Sequence, residues 1–235
     1  MTIAIIIAGG SGNRMNTEIP KQFIKIIDKP VLVYTLEDFE KHNEIDAIEV
    51  VCIKGWEDIV WQYVREYKLN KIKWIVTGGK TVQESIRNGV FALENSASDE
   101  DIIIIHDGIR PLVEESVLSN VIDVCKKHGN AVSSLPYNEQ IFIADDENST
   151  VKFIPRESLR RVSTPQAYRF GILDKRYHEA FDKGIGIYGS SYTNTMMVEL
   201  GERLFFADGS DKNIKLTTKD DLSIFKALLL TKKES

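Results

Sequence analysis

The residues best suited to chemistry cluster early. Within "IAIIIAGGSGNRMNTEIPKQF" (Ile3–Phe23), an apolar run is followed by Gly9, Gly10 and Gly12, then by Arg14 and Lys21. Glycines let backbone N–H groups turn inward and let a ligand approach the chain closely. Arg14 offers a planar fork of donors and Lys21 a compact charge, with Pro20 stiffening the approach to it. Amides plus two cations in one loop suit a polyphosphate. Two familiar cradles are excluded. The dinucleotide pattern G-x-G-x-x-G requires a third glycine where Met15 stands, and the P-loop requires Gly-Lys-Ser/Thr, which is absent. A second chemical element is Asp107, which closes the apolar run "IIIIHD". A carboxylate there can hold Mg²⁺, which takes one or two carboxylates together with phosphates and water.

These residues need a scaffold that presents loops at one edge. Short β-branched runs at Ile3–Ile7, Ala47–Ile53, Ile72–Val76 and Ile102–Ile105 predict buried strands. Helical patterns lie between and after them: Val31–His42, Trp56–Tyr67, Val82–Leu93, Glu114–Lys127 and Lys219–Lys232. The last follows a capping region at Thr217, Thr218 and Asp220. Alternating strands and helices predict a mostly parallel sheet covered on both faces, with ligands at the strand ends. The informative loops, Ala8–Lys21, Thr77–Ser85 and His106–Pro111, follow strand runs as that rule requires. From Tyr137 to Arg156 the pattern changes to two short alternating pieces around "DDENS", a β-hairpin inserted as an arm over residues 137–156. No repeat or long linker divides the chain, so residues 1–235 are expected to form one domain.

A net charge of −5 excludes a general affinity for nucleic acid or anionic membranes, so an anionic ligand must be met by locally placed cations. No apolar run approaches a membrane span, and the first apolar run reads as a strand rather than a signal peptide. Cys52 and Cys125 lack redox or metal spacing and read as buried reduced thiols. His42, His106, His128 and His178 form no zinc pattern. The expected compartment is the cytosol.

"AGGSGNRM" followed by "PKQF" resembles the signature of the nucleotidyltransferases that make CDP-linked alcohols, the methylerythritol-phosphate and ribitol-phosphate cytidylyltransferases. Four further segments resemble that family in order: "GGKTVQESIRNG", "HDGIRPLV", "TPQAYRF" and "NIKLTTKDDL". The resemblance implies a Rossmann-like nucleotidyltransferase fold, and a homodimer joined by the β-arm. It also implies transfer of CMP from CTP to an alcohol phosphate, with Mg²⁺ or another divalent cation as cofactor. It implies that Arg14, Lys21 and Lys215 act on the triphosphate, and that Ala8, Gly9, Gly10, Ser11, Gly12, Gly79, Ser85 and Asp107 bind the nucleotide. Asp107 is expected to hold the metal, and Asp211, close to Lys215 in sequence and not fixed by the family pattern, is a candidate second acid near that metal. Arg110, Gln140, Arg156, Thr164, Thr193 and Asn194 fall on the acceptor side, Arg156 as the grip on its phosphate. Arg160 and Arg161 read as surface charges.

Two departures from the methylerythritol branch stand near the acceptor. Glu139-Gln140 replaces Asp-Thr at the start of the arm, and Thr193-Asn194 replaces Thr-Asp, so a carboxylate becomes a carboxamide. With "AGG" in place of "AAG", these favour the sugar-alcohol branch and an alditol phosphate, ribitol 5-phosphate or a related polyol phosphate. Its CDP-alditol would feed teichoic-acid-like or capsular polymers. The competing readings are methylerythritol-phosphate cytidylyl transfer, nucleotidyl transfer from UTP or dTTP to another sugar phosphate, and a silent CTP-binding module. Backbone groups can read a pyrimidine edge without a diagnostic side chain, so the preference for cytosine rests on the resemblance.

Overall fold

The computed structural model describes residues 1–10, 19–189 and 191–233. Its centre is a seven-stranded sheet built from β1 (Thr2–Ala8), β4 (Ala47–Cys52), β5 (Ile72–Thr77), β6 (Ile102–Asp107), β7 (Asn130–Pro136), β10 (Arg160–Arg169) and β11 (Phe206–Asp208). Two short strands, β2 (Lys25–Ile26) and β3 (Lys29–Pro30), pair separately, as do β8 (Ile141–Ile143) and β9 (Lys152–Ile154). The order across the large sheet is β11-β7-β10-β6-β1-β4-β5. β1 pairs in parallel with both β4 and β6, and β4 with β5. Among the described strands of this sheet, β10 alone runs against its neighbours β6 and β7. The sheet is therefore mostly parallel, as the alternation of strands and helices predicts.

Side-chain alternation explains why both faces are covered. Ala4, Ile6, Ile48, Val50, Ile102 and Ile104 point to one face, where α1 (Val31–Lys41), α2 (Glu57–Glu66) and α4 (Glu115–His128) bury Leu36, Phe39, Val60, Leu118 and Ile122. Ile3, Ile5, Val51, Ile103 and Ile105 point to the other, under α3 (Val82–Ala92), α5 (Phe170–Lys183) and α6 (Thr193–Glu199), with Val90, Leu173, Tyr177 and Met197. A period of two in the strands against a helical period in the covering layers is the pattern of a doubly covered sheet. The last helix, α7 (Lys219–Lys233), packs Phe225 with Val31, Ile109, Leu112 and Leu216 in a smaller cluster. No described helix is long and apolar enough to cross a membrane.

The topology positions a site. From β1 the chain builds outward to β4 and β5, then returns to place β6 on the other side of β1. The crevice outside the carboxyl ends of β1 and β6 is thus a topological switch point, the place where open α/β sheets bind ligands. Ala8 and Asp107 end the two strands there, with Ile7 in register with Asp107.

One core residue breaks the apolar pattern. Glu49 on β4 is completely buried, neither carboxylate oxygen has a hydrogen-bond partner, and burial pushes the carboxyl up to about 9. Gly89 on α3 makes room for it, since a Cβ there would lie 2.6 Å from Glu49 Oε1. The folded protein keeps this proton up to about pH 9, whereas an unperturbed carboxyl releases it near 4.5. The unfolded chain binds fewer protons in that window, so stability falls as pH rises through it, by at most ~1.4 kcal/mol per pH unit. Glu49→Gln should flatten that slope. Urea midpoints at pH 6 and pH 8.5 for both proteins check this.

Candidate active site

Asp107 is the hub of the crevice. Its Oδ2 accepts from Arg110 Nε at 2.9 Å, and Lys215 Nζ lies 3.2 Å from Oδ1 and 3.1 Å from Oδ2. The Asp107 N–H donates to the Thr164 hydroxyl (3.1 Å), which in turn lies 3.4 Å from Oδ2. Burial alone would raise this carboxyl, but Lys215 and Arg110 overcome it and hold it at about 2. Asp107 is therefore an anion at any physiological pH.

The hub is assembled from three segments distant in sequence. Arg110 Nη1 donates to the Asn213 carbonyl (2.7 Å), and Asn213 Nδ2 donates to the Thr164 carbonyl (2.6 Å). Asn213 thus cross-ties the β6 loop, β10 and the segment carrying Lys215. Thr164 and Pro165, joined by a cis peptide, stand where the β10–β7 register breaks between Ser163 and Gln166. Lys215 is set by its neighbour: Leu216 is buried, and its N–H donates to the Ile109 carbonyl at 2.9 Å. The following helix is held by a reciprocal cap, in which the Thr217 and Thr218 N–H groups reach Asp221 Oδ2 and the Asp221 N–H reaches the Thr218 hydroxyl. Beneath the hub, His106 is completely buried and donates from Nε2 to the Arg110 carbonyl (3.1 Å). Burial lowers its pKa to about 4, so the imidazole is neutral and serves to brace the turn.

The glycine loop faces a second glycine pair. A Cβ on Gly9 would lie 3.1 Å from Ser85 Oγ, and one on Gly78 would lie 3.0 Å from the same atom and 3.4 Å from the Gly9 Cα. Side chains would close this approach. Ser85 Oγ accepts from the Gly79 N–H (3.0 Å) and donates to the Thr81 carbonyl (2.8 Å). At Gly79 a Cβ would collide with Glu84 Cβ at 2.3 Å. Glu84 and Thr81 form the capping box that starts α3. Ser85 thus pins the Gly78–Gly79 turn beside Gly9.

Lys21 is buried within a short 3-10 turn, Lys21–Phe23, and its two neighbours anchor it. Gln22 Nε2 donates to the Ala8 carbonyl (2.6 Å) and the Gly10 carbonyl (3.0 Å), tying the turn to the glycine loop. Phe23 stacks on Trp56 with ring centroids 4.3 Å apart. Ser11, Gly12 and Arg14 lie outside the described residues.

Other expected site residues are placed differently. Thr193 is completely buried and its hydroxyl shares a hydrogen bond with Tyr177 (2.7 Å), so it braces α6 instead of facing a ligand. Asn194 is buried, and its Oδ1 accepts from the Thr195 N–H (2.9 Å). Arg110 and Thr164, expected on the acceptor side, spend their polar atoms on Asp107 and Asn213. Asp211 does not join Asp107: it is exposed and paired with Arg161. The reason is local, because Arg161 at the exposed start of β10 offers a guanidinium to Asp211. Arg160 lies over the Phe206 ring, 5.9 Å from its centroid. Gln140 and Arg156 are exposed and share a concavity of the arm with Phe142, Phe153 and Pro155. Arg156 reaches the Asn138 carbonyl at 3.5 Å and Glu157 at 3.7 Å, so its contacts stay within the arm.

Three residues that sequence reasoning left aside are now prominent: Asn213, Gln22 and Tyr192. The first two sit inside the quoted "NIK" and "PKQF" segments, and a charge-centred reading passes over amides. Tyr192 is the residue before Thr193-Asn194, and its ring centroid is 5.8 Å from Lys215 Nζ.

The chain is similar to known proteins along nearly its whole length. The family model for IspD, 2-C-methyl-D-erythritol 4-phosphate cytidylyltransferase, matches residues 2–231. A ribitol-5-phosphate cytidylyltransferase of Lacticaseibacillus paracasei is 56% identical over 232 residues, covering 99% of this chain and 99% of that one. A 2-C-methyl-D-erythritol 4-phosphate cytidylyltransferase of Clostridium acetobutylicum is 36% identical over 231 residues, 97% of each. The solved 4-diphosphocytidyl-2C-methyl-D-erythritol synthase of Anaerococcus prevotii shares the fold, with a TM-score of 0.83 at 24% identity over 97% of this chain and 96% of that one.

Proposed function

The chain belongs to the IspD family of cytidylyltransferases, and from that premise we propose that it transfers CMP from CTP to ribitol 5-phosphate, giving CDP-ribitol and pyrophosphate. It is a nucleotidyltransferase. The observation that carries the acceptor is the 56% identity, over nearly the whole chain, to a ribitol-5-phosphate cytidylyltransferase, against 36% to a methylerythritol-phosphate enzyme. The replacement of Thr-Asp by Thr193-Asn194 supports the same branch. CDP-ribitol is an activated alditol of the kind that teichoic-acid-type polymers consume.

In the reaction, an oxygen of the ribitol phosphate attacks the α-phosphorus of CTP. A new P–O bond forms, and the bond from the α-phosphorus to the bridging oxygen breaks, with pyrophosphate leaving in line. Such transfers depend on positioning and on stabilising charge at the equatorial oxygens. Ala8–Gly10 and the Gly78–Ser85 wall hold the nucleoside. Lys21 is assigned to the triphosphate, together with Arg14 on the strength of the motif alone, and Lys215 to the α-phosphate. Asp107 fits a divalent cation, since it is ionised, stands at the strand end and is, among the described residues, the carboxylate around which the hub is built. Bound there, Mg²⁺ would neutralise triphosphate charge. Lys215 then exchanges its Asp107 partner for the α-phosphate, and Arg110 stays to hold the carboxylate in place.

The arm supports a homodimer. Phe142, Ile143, Val151 and Phe153 are all exposed on it, a concentration of apolar surface suited to a partner copy. Arg156 and Gln140 at its base would then reach the partner's acceptor site. Arg156→Ala should raise KM for ribitol 5-phosphate roughly tenfold or more, as expected for losing a charge-assisted phosphate contact, and leave KM for CTP within about twofold. Steady-state kinetics with each substrate varied separately check this. The function as a whole is tested by pyrophosphate release with CTP, Mg²⁺ and ribitol 5-phosphate. A silent CTP-binding module would bind nucleotide and release none.

A further inference from the structure

Tyr192 starts α6 with its backbone fixed on both sides. Its N–H donates to the Thr195 hydroxyl (2.8 Å), and that hydroxyl donates back to the Tyr192 carbonyl (2.9 Å). The ring remains half exposed. One side of its surroundings is Lys215, whose Nζ stands 5.8 Å from the ring centroid, within cation–π range. Another is a small pocket of about 180 Å³, which the ring lines together with Thr81, Val82, Gln83, Ile187 and Tyr188. The pocket lies between the start of α3 and the loop before α6, and Tyr192 is the lining residue that also stands next to Lys215.

Its walls are braced from behind. Gln83 Nε2 donates to the Gly186 carbonyl (2.7 Å), and Gln83 Oε1 accepts from the Tyr177 hydroxyl (3.1 Å). The same Tyr177 hydroxyl shares its hydrogen bond with Thr193. Gly186 adopts φ +62°, and a Cβ there would lie 2.6 Å from the Met196 Cα, so the loop is pressed onto α6. A buried chain of hydrogen bonds thus joins α3, α5 and α6 behind the pocket. The volume lies below the roughly 300–1,000 Å³ of pockets that take drug-sized ligands, and suits a short polyol chain. Tyrosines present an apolar body with a polar tip, which matches the C–H face and hydroxyl edge of an alditol.

We propose that this pocket receives the hydroxylated chain of the acceptor, and that Tyr192 is the residue that selects it. Tyr192 belongs to the pocket lining and stands next to Lys215. A linear alditol lies along it, and a methyl branch meets it. The inference rests on the reading of the chain as a cytidylyltransferase acting on a polyol phosphate, and it assigns the selection to a side chain one position before the Thr193-Asn194 pair.

The test uses the full chain with CTP, Mg²⁺ and either ribitol 5-phosphate or 2-C-methyl-D-erythritol 4-phosphate. Tyr192→Ala should raise KM for ribitol 5-phosphate about tenfold, and lower the ratio of kcat/KM for ribitol 5-phosphate over the branched acceptor about tenfold. A methyl-sized difference in a pocket is worth roughly 10–200-fold. KM for CTP should stay within about twofold. Tyr192→Phe, which keeps the ring, should recover most of the lost selectivity. Tyr192→Leu gives a second variant if the alanine protein does not fold, and should lose selectivity as alanine does. A rise in KM for CTP instead, or an unchanged acceptor ratio in both truncations, overturns the proposal. Activity of the native enzyme with unchanged Tyr192 variants overturns this inference alone, whereas native inactivity on ribitol 5-phosphate overturns the function beneath it.

Discussion

Asp107→Asn leaves a folded protein whose kcat is lower by about three orders of magnitude. The carboxamide keeps the shape of the hub, so Thr164 and Asn213 retain their places. What disappears is the charge that two cations compensate, since Arg110 at 2.9 Å and Lys215 at 3.1 Å both face it. On the proposed mechanism a divalent cation would lose its protein anchor, and metal-assisted stabilisation of a transferring phosphoryl group is worth several kcal/mol. Added Mg²⁺ should recover part of the loss, because the defect lies in metal affinity as well as in chemistry. The acid limb also reports on the hub. The Asp107 carboxyl is held at about 2 against an ordinary 3.8, so its contribution to stability is present above 3.8 and is lost as pH falls toward 2. The asparagine variant should lack that contribution. Stopped assays for kcat across Mg²⁺ concentrations and acid unfolding monitored by circular dichroism check the two halves. A kcat within tenfold of native would remove Asp107 from the metal-holding role.

Lys21→Ala is expected to lower kcat by about 10²–10³, the usual loss when one preorganised charge contact to a transition state is removed. KM for CTP should rise less, because the proposed nucleoside contacts, at the glycine loop and the Ser85 wall, are left untouched. The geometry explains why the effect should fall on kcat. Gln22 clamps the turn to the Ala8 and Gly10 carbonyls, and Phe23 stacks on Trp56, so Lys21 is presented by a rigid segment and needs little rearrangement. Lys21→Arg should not recover the rate, since a wide planar fork does not replace a compact point charge in a buried turn. Steady-state kinetics with both substrates saturating separate kcat from KM. An equal loss confined to KM would make Lys21 a ground-state binding residue.

The sequence conveys the nucleotide half of this protein better than the acceptor half. β1, β4, β5 and β6 are short, apolar and β-branched because both faces of their sheet are covered, and that demand is visible in composition. Helices such as α1 and α3 carry clear apolar periods and lie within a residue or two of the sequence expectation. β10 is different. Its first residues, Arg160, Arg161 and Val162, are exposed, and Pro165 interrupts its pairing, so no run announces a strand inserted antiparallel between β6 and β7. α5 interleaves charges with its apolar stripe and follows β10 directly, so its pattern is masked.

At the site, the charges Lys21, Asp107 and Lys215 could be found from residue type and motif. Their mutual geometry could not, because Lys215 meets Asp107 across 108 positions of chain. Thr193 illustrates the converse. Its place in a motif suggests a ligand contact, while burial against Tyr177 makes it a brace. Asp211 is close to Lys215 in sequence, yet it answers to Arg161. Local spacing says nothing about which side of a loop a side chain takes.

The central claim is tested most directly by competition. The enzyme is given CTP, Mg²⁺, and equal concentrations of ribitol 5-phosphate and 2-C-methyl-D-erythritol 4-phosphate, and the products are identified by mass. CDP-ribitol forming as the dominant product, with one pyrophosphate released per molecule, is the predicted result. CDP-methylerythritol as the dominant product, or nucleotide binding with no pyrophosphate released, would contradict it.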